Sequence, residues 1–101
     1  MRLMVMFDLP VGTREQRGAA ARFRNDLVKD GYTMMQFSIY VRLCKGMDAV
    51  NKHRARLLAS IPAMGSVRMM VVTEKQFASM EILLGQLATP DLEKPQQISF
   101  Y

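Results

Sequence analysis

Hydrophobic and polar positions alternate in three stretches of the chain and recur at helical spacing in two others. Residues 2–8, RLMVMFD, put Leu3, Val5 and Phe7 on one face of a strand and Met4, Met6 and Asp8 on the other. Both faces are apolar as far as Asp8, which predicts a central strand covered on both sides. Pro10, Gly12 and Thr13 then make a turn, and Thr13 with Gln16 forms a capping box. The helix that follows runs to about Asp30 and is closed by Gly31. Its inward positions are Ala20, Phe23 and Leu27; Arg17 and Arg24 share one flank, Arg22 and Lys29 another. Residues 32–43, YTMMQFSIYVRL, are β-prone but longer than an ordinary strand, so a bend or bulge near Phe37-Ser38 should split them in two.

Gly46 precedes a second helix over about 47–60, ended by Pro62. Its apolar stripe is Met47, Val50, Leu57, Leu58 and Ile61. Arg54 falls inside that stripe and reads as snorkelling or ion-paired; His53, at its edge, reads as structural. Residues 67–73, VRMMVVT, form another strand, and Thr73 with Gln76 caps a short helix. Residues 81–85, EILLG, read as a further strand, residues 86–97 as a linker with Pro90 and Pro95, and the closing ISFY as strand-prone. The order β-α-β-β-α-β predicts an α+β, ferredoxin-like sheet with both helices on one face, plus a short extra helix and C-terminal strand. Residues 1–85 are expected to form this domain and 86–101 a linker and strand extension. The other face of the sheet would stay open although the first strand is apolar on both sides. A second copy is the simplest cover, which predicts a two-fold homodimer.

Composition narrows the class. A chain of 101 residues bounds the fold to one domain, and 50% hydrophobic with 23% charged residues argues for a globule rather than disorder. No run approaches the ~18 apolar residues of a membrane span, and the apolar start from Leu3 to Phe7 is too short for a signal peptide. Residues 1–70 hold 12 basic and 5 acidic side chains, net +7, while residues 71–101 hold 2 and 4, net −2. Nine of the 14 cations are Arg, whose planar fork suits phosphate, which points to nucleic acid as partner or to a merely solvated basic surface. Cys44 is the single cysteine and His53 the single histidine, which excludes an intrachain disulfide and a structural zinc site and fits a reducing cytoplasm. The ten Met suggest an adaptable core, and Met34-Met35 and Met69-Met70, in strand-like runs, read as packing rather than a binding groove.

Candidate chemistry concentrates on Asp8. A carboxylate ending a central strand either accepts from turn N–H groups or a nearby Arg, or it holds a metal. Mg²⁺ keeps several waters and takes few carboxylates. Two Asp8 side chains facing each other across a two-fold axis would need a cation between them or a shared proton. No Gly-rich phosphate loop and no GxSxG is present. Ser38, Tyr40 and Arg42 alternate on one strand and either face a phosphate backbone or form an exposed polar face. The aromatic run of an RNA-recognition fold, which shares this strand order, is missing.

MFDLP, GYTMMQFSIYVRL, SIPAMGSVRMMVVTEKQF and the following ILLG together resemble CRISPR-associated protein two, the small adaptation subunit that works with the CRISPR integrase. The likeness runs from about residue 3 to 85, and TEKQF looks most like members from single-protein-effector systems. The resemblance implies a ferredoxin-like, basic, cytoplasmic homodimer acting as a metal-dependent endonuclease on RNA or DNA. It implies that Asp8 is both the catalytic and the Mg²⁺-binding residue. Arg14, Arg17, Arg24, Ser38 and Arg42 are the candidate nucleic-acid contacts; Arg17, Gln36 and Ser38 match the family loosely, and Phe37 and Tyr40 match as apolar positions. It also implies a scaffold role: bridging the integrase, CRISPR-associated protein one, along duplex DNA. Three readings therefore stand: a Mg²⁺-dependent phosphodiesterase, a non-catalytic architectural DNA binder, and a ferredoxin-like small-ligand or regulatory domain.

Overall fold

The computed structural model of the chain describes residues 1–85. Its elements follow in the order β1 (Arg2–Asp8), α1 (Arg14–Lys29), β2 (Thr33–Gln36), β3 (Ile39–Leu43), α2 (Met47–Ala59), β4 (Ser66–Val72) and α3 (Glu74–Ala78). The four strands make one sheet in the order β2-β3-β1-β4, with every neighbouring pair antiparallel. This is the ferredoxin-like arrangement expected of the β-α-β-β-α-β order.

Local chemistry explains the boundaries. Thr13 Oγ1 accepts from the Gln16 N–H at 3.1 Å and Gln16 Oε1 accepts from the Thr13 N–H at 3.0 Å, so both sides of the capping box are made. Thr73 and Gln76 repeat the device at α3. Gly31, at φ +93°, ends α1 in the left-handed region, which a side chain would resist. The long β-prone stretch breaks at Phe37-Ser38, as its length demanded. Ser38 takes φ +67°, and the β2–β3 register shifts between Met34 and Gln36.

Leu3, Val5 and Phe7 pack with Phe23, Leu27, Tyr32, Tyr40, Cys44, Val50 and Leu57 in the core between sheet and helices. Phe7 meets Phe23 edge-on at 5.1 Å and stacks with Tyr40 at 5.7 Å. On the opposite face Met4 is buried and Met6 half-buried, while Met70 and Leu43 are about half exposed.

Two expectations are corrected. The buried line of α2 is Val50, His53 and Leu57; Met47, Leu58 and Ile61 remain exposed, as does Arg54. A helix of 13 residues meets the core along one narrow line, and His53 can join it because Asp30 satisfies its ring. Residues 81–85 form no strand: their composition is strand-like, but their backbone joins neither edge of the sheet, β2 or β4, and Leu83 and Leu84 are exposed. They line a depression of about 810 Å³ with Met35, Gln36, Phe77 and Met80. The linker and closing strand expected over 86–101 lie outside the described residues.

Candidate active site

Asp8 is the last residue of the central strand, because Pro10 has no N–H to extend the ladder. Cross-strand register places Asp8 opposite Ser66 and Met6 opposite Arg68. Since alternate residues share a face, Met4, Met6, Asp8, Ser66 and Arg68 all lie on the face turned away from the α1 and α2 core. The Asp8 side chain is exposed and lines a shallow depression of about 320 Å³ with Met6, Phe7, Ser66 and Arg68. It makes no ion pair among the described residues.

The loop before β4 closes tightly on this strand end. Gly65 sits at φ +109°, and a Cβ there would stand 2.7 Å from the Asp8 carbonyl oxygen and 2.8 Å from Leu9 Cδ2. Only glycine offers both the backbone conformation and the space. From the other side, the Phe7 N–H donates to the Ser38 carbonyl at 3.1 Å, which draws the β2–β3 turn against the same strand end.

A Mg²⁺ ion asks for hard oxygen donors and near-octahedral geometry, much of it supplied by water and substrate phosphate. An exposed carboxylate without an ion pair fits one such position. No group of three or more His, Cys, Asp or Glu side chains suited to a metal occurs among the described residues. One chain therefore offers one carboxylate.

The other residues singled out in the sequence are dispersed. Arg14 and Arg17 are exposed in the first turns of α1, after the turn that leaves Asp8, and Arg24 is half-buried further along. Arg17 Nη1 donates to the Val11 carbonyl at 3.2 Å, which leaves most of its donors free. Ser38 lies in the turn rather than on a strand, while Tyr40 is buried in the core. Arg42 shares the helix-side face of β3 with Tyr40, and its guanidinium is spent on carbonyls: Nε donates to Asp30 at 2.6 Å and Nη1 to Leu43 at 2.7 Å. Ser38, Tyr40 and Arg42 thus form no common exposed face, and Arg42 lies away from Asp8, opposite Leu3.

Arg68 is the functional candidate that the sequence reading passed over. It and Ser66 are the polar positions in SVRMMVV, and their spacing of two was the available signal. Linking it to Asp8 required the β1–β4 register.

A second polar cluster ties α1 to α2. Asp30 Oδ2 lies 2.8 Å from His53 Nδ1, and Arg56 Nη1 donates to Asp30 Oδ1 at 2.7 Å. Burial alone would raise the Asp30 carboxyl, but hydrogen bonds from His53 and Arg56 outweigh it and hold the group below its usual value. Nearby Tyr32 is pushed up to about 12, first by burial and then by the Asp30 charge. At the start of β1, Arg2 Nε donates to Glu74 Oε2 at 3.0 Å and its guanidinium stands 4.4 Å from the centre of the Phe77 ring, pinning α3.

A sequence model described as CRISPR associated protein Cas2 matches residues 1–80. A CRISPR-associated endoribonuclease Cas2 of Acidovorax ebreus is 55% identical over 85 residues, 84% of this chain and 83% of the relative. Another, of Parvibaculum lavamentivorans, is 40% identical over 101 residues, the full length of both. The crystal structure of Streptococcus pyogenes Cas2 at pH 6.5 superposes with a TM-score of 0.60 over 82% of this chain and 99% of that one, at 22% identity, which supports the fold.

Proposed function

The chain belongs to the CRISPR associated protein Cas2 family, and from that premise we propose that it is an endonuclease that hydrolyses phosphodiester bonds in RNA, with Asp8 as its metal-holding carboxylate. The observation that carries this reading is the exposed Asp8 side chain, free of ion pairs among the described residues, at the end of the central strand. The endoribonuclease names of the Acidovorax and Parvibaculum relatives support the substrate class.

The working unit is a two-fold homodimer. Met70 at 49% and Leu43 at 51% exposure lie on the sheet face that α1 and α2 leave open, and a second copy is the proposed cover. Such a dimer would bring two Asp8 side chains toward one axis and supply the second carboxylate that a single chain lacks. When bound, Mg²⁺ supplies positive charge at the phosphate and makes water a better nucleophile. In the net reaction water adds to phosphorus, the P–O ester bond breaks, and the leaving oxygen ends protonated. Asp8, which lines the depression, would be the residue that holds the ion. Arg14, Arg17 and Arg24 neutralise the backbone beside it without reading sequence.

A second reading has its own support. Residues 1–70 carry net +7 but contain only 5 carboxylates, four of them away from the Asp8 depression. A cytoplasmic, non-catalytic adaptation scaffold that grips duplex DNA and bridges the CRISPR integrase, CRISPR-associated protein one, would need that charge and not Asp8. No described helix is long and apolar enough to cross a membrane.

The two readings separate in one assay. Labelled single-stranded RNA and duplex DNA are incubated with purified protein in Mg²⁺ or EDTA. The nuclease reading expects RNA cleavage in Mg²⁺ and none in EDTA. Salt-sensitive DNA binding without cleavage in either buffer supports the scaffold instead.

A further inference from the structure

Arg68 occupies a place that its neighbours in the fold do not explain. It lies in the middle of β4 among Val67, Met69, Met70, Val71 and Val72, and it is exposed on the same sheet face as Asp8. Arg2 is engaged with Glu74, Arg17 with the Val11 carbonyl, Arg56 with Asp30, and Arg42 with two carbonyls. Arg14, Arg22, Arg24 and Arg54 have no such partner among the described residues, but none of them lines the Asp8 depression. Arg68 has no hydrogen-bond or ion-pair partner among the described residues.

The register fixes its relation to Asp8. Met6 pairs with Arg68 and Asp8 with Ser66, so Arg68 is the diagonal same-face neighbour of Asp8. Such neighbours have Cα atoms roughly 7–8 Å apart, within reach of a long side chain. Both line the depression of about 320 Å³ whose other walls are Met6, Phe7 and Ser66. A guanidinium and a carboxylate therefore flank one concavity without closing on each other.

Taking Asp8 as the metal-holding carboxylate, we infer that Arg68 binds the phosphate to be cleaved, its N–H groups donating to the non-bridging oxygens. The planar fork suits two oxygens of one tetrahedral phosphate, and the group stays protonated throughout, so it moves no proton. Its role differs from that of Arg14 and Arg17, which sit on α1 and not in the depression. Negative charge that grows on the phosphoryl oxygens during attack is stabilised by a donor already in place.

The test compares wild type, Arg68→Gln, Arg68→Lys and Asp8→Asn in four measurements. These are single-turnover RNA cleavage at saturating enzyme, affinity for phosphorothioate RNA in Mg²⁺-free buffer, Mg²⁺ affinity by calorimetry, and sedimentation. Arg68→Gln should lower the saturated cleavage rate by roughly 10²-fold and weaken phosphorothioate RNA binding several-fold. Mg²⁺ affinity and sedimentation should stay as in wild type. Arg68→Lys, keeping charge without the fork, should recover part of the rate. If Arg68→Gln cleaves within twofold of wild type while Asp8→Asn is inactive, Arg68 does not touch the scissile phosphate and the inference alone fails. If Arg68→Gln sediments as a monomer, Arg68 is an interface residue and the inference is again overturned. Full activity in Asp8→Asn overturns the metal-site reading and takes this inference with it.

Discussion

Gly65 lies against Asp8 so closely that a Cβ on Gly65 would stand 2.7 Å from the Asp8 carbonyl oxygen. The end of the central strand and the start of β4 are held in register by a contact that only a glycine allows. Gly65→Ala meets both that clash and the strain of φ +109°. It should cost about 2 kcal/mol or more and shift the end of β1. Urea unfolding measures the first effect; reduced RNA cleavage at an unchanged RNA affinity reports the second.

The core rests on a small aromatic set. Phe23 is 1% exposed and meets Phe7 edge-on at 5.1 Å. Phe23→Ala should cost about 3–5 kcal/mol, a large share of the stability of a domain this small. A cooperative urea transition at an unchanged midpoint would contradict this packing.

Asp30 links stability to pH. Its carboxyl is held below the ordinary value by His53 and Arg56 against the opposing effect of burial. A folded value below the unfolded one means that the carboxylate stabilises the fold fully above the unfolded value of about 3.9. That contribution is lost as pH falls through the folded value. Asp30→Asn should therefore be less stable than wild type by about 1–3 kcal/mol near neutrality. The gap should narrow below about pH 4. Urea midpoints of both proteins from pH 7 down to pH 2.5 check this, and a gap independent of pH would refute it.

Nucleic-acid affinity should fall steeply with salt because phosphate contacts release counterions. Arg17→Gln should weaken binding to unrelated sequences alike and lower the slope of log K against log salt by about 1. Fluorescence anisotropy on two sequences at several salt concentrations measures both. Loss confined to one sequence would show base reading instead.

Elements whose cause is local were legible in the chain. The Thr13–Gln16 and Thr73–Gln76 capping boxes, the Leu3/Val5/Phe7 alternation and the break at Phe37-Ser38 all depend on residues within a few positions of each other. Features set by distant partners were not. His53 joins the buried line of α2 because Asp30, 23 residues away, meets its ring. EILLG has strand composition but joins neither edge strand, β2 or β4. Arg42 reads from the sequence as alternating with Ser38 and Tyr40 on one strand, facing phosphate or solvent, yet its donors end on the carbonyls of Asp30 and Leu43. Asp8 stood out as the acid that ends an apolar strand, but the pairing that sets Arg68 and Ser66 beside it spans about half the chain.

The central claim is that Asp8 is the carboxylate on which hydrolysis depends. It is tested most directly by cleavage of labelled single-stranded RNA in Mg²⁺ by wild type and Asp8→Asn, side by side, with sedimentation and RNA affinity measured on both. Asp8→Asn should lose roughly 10²-fold or more of the cleavage rate, while sedimentation and RNA affinity in Mg²⁺-free buffer stay those of wild type. Cleavage by Asp8→Asn within twofold of wild type would contradict the account.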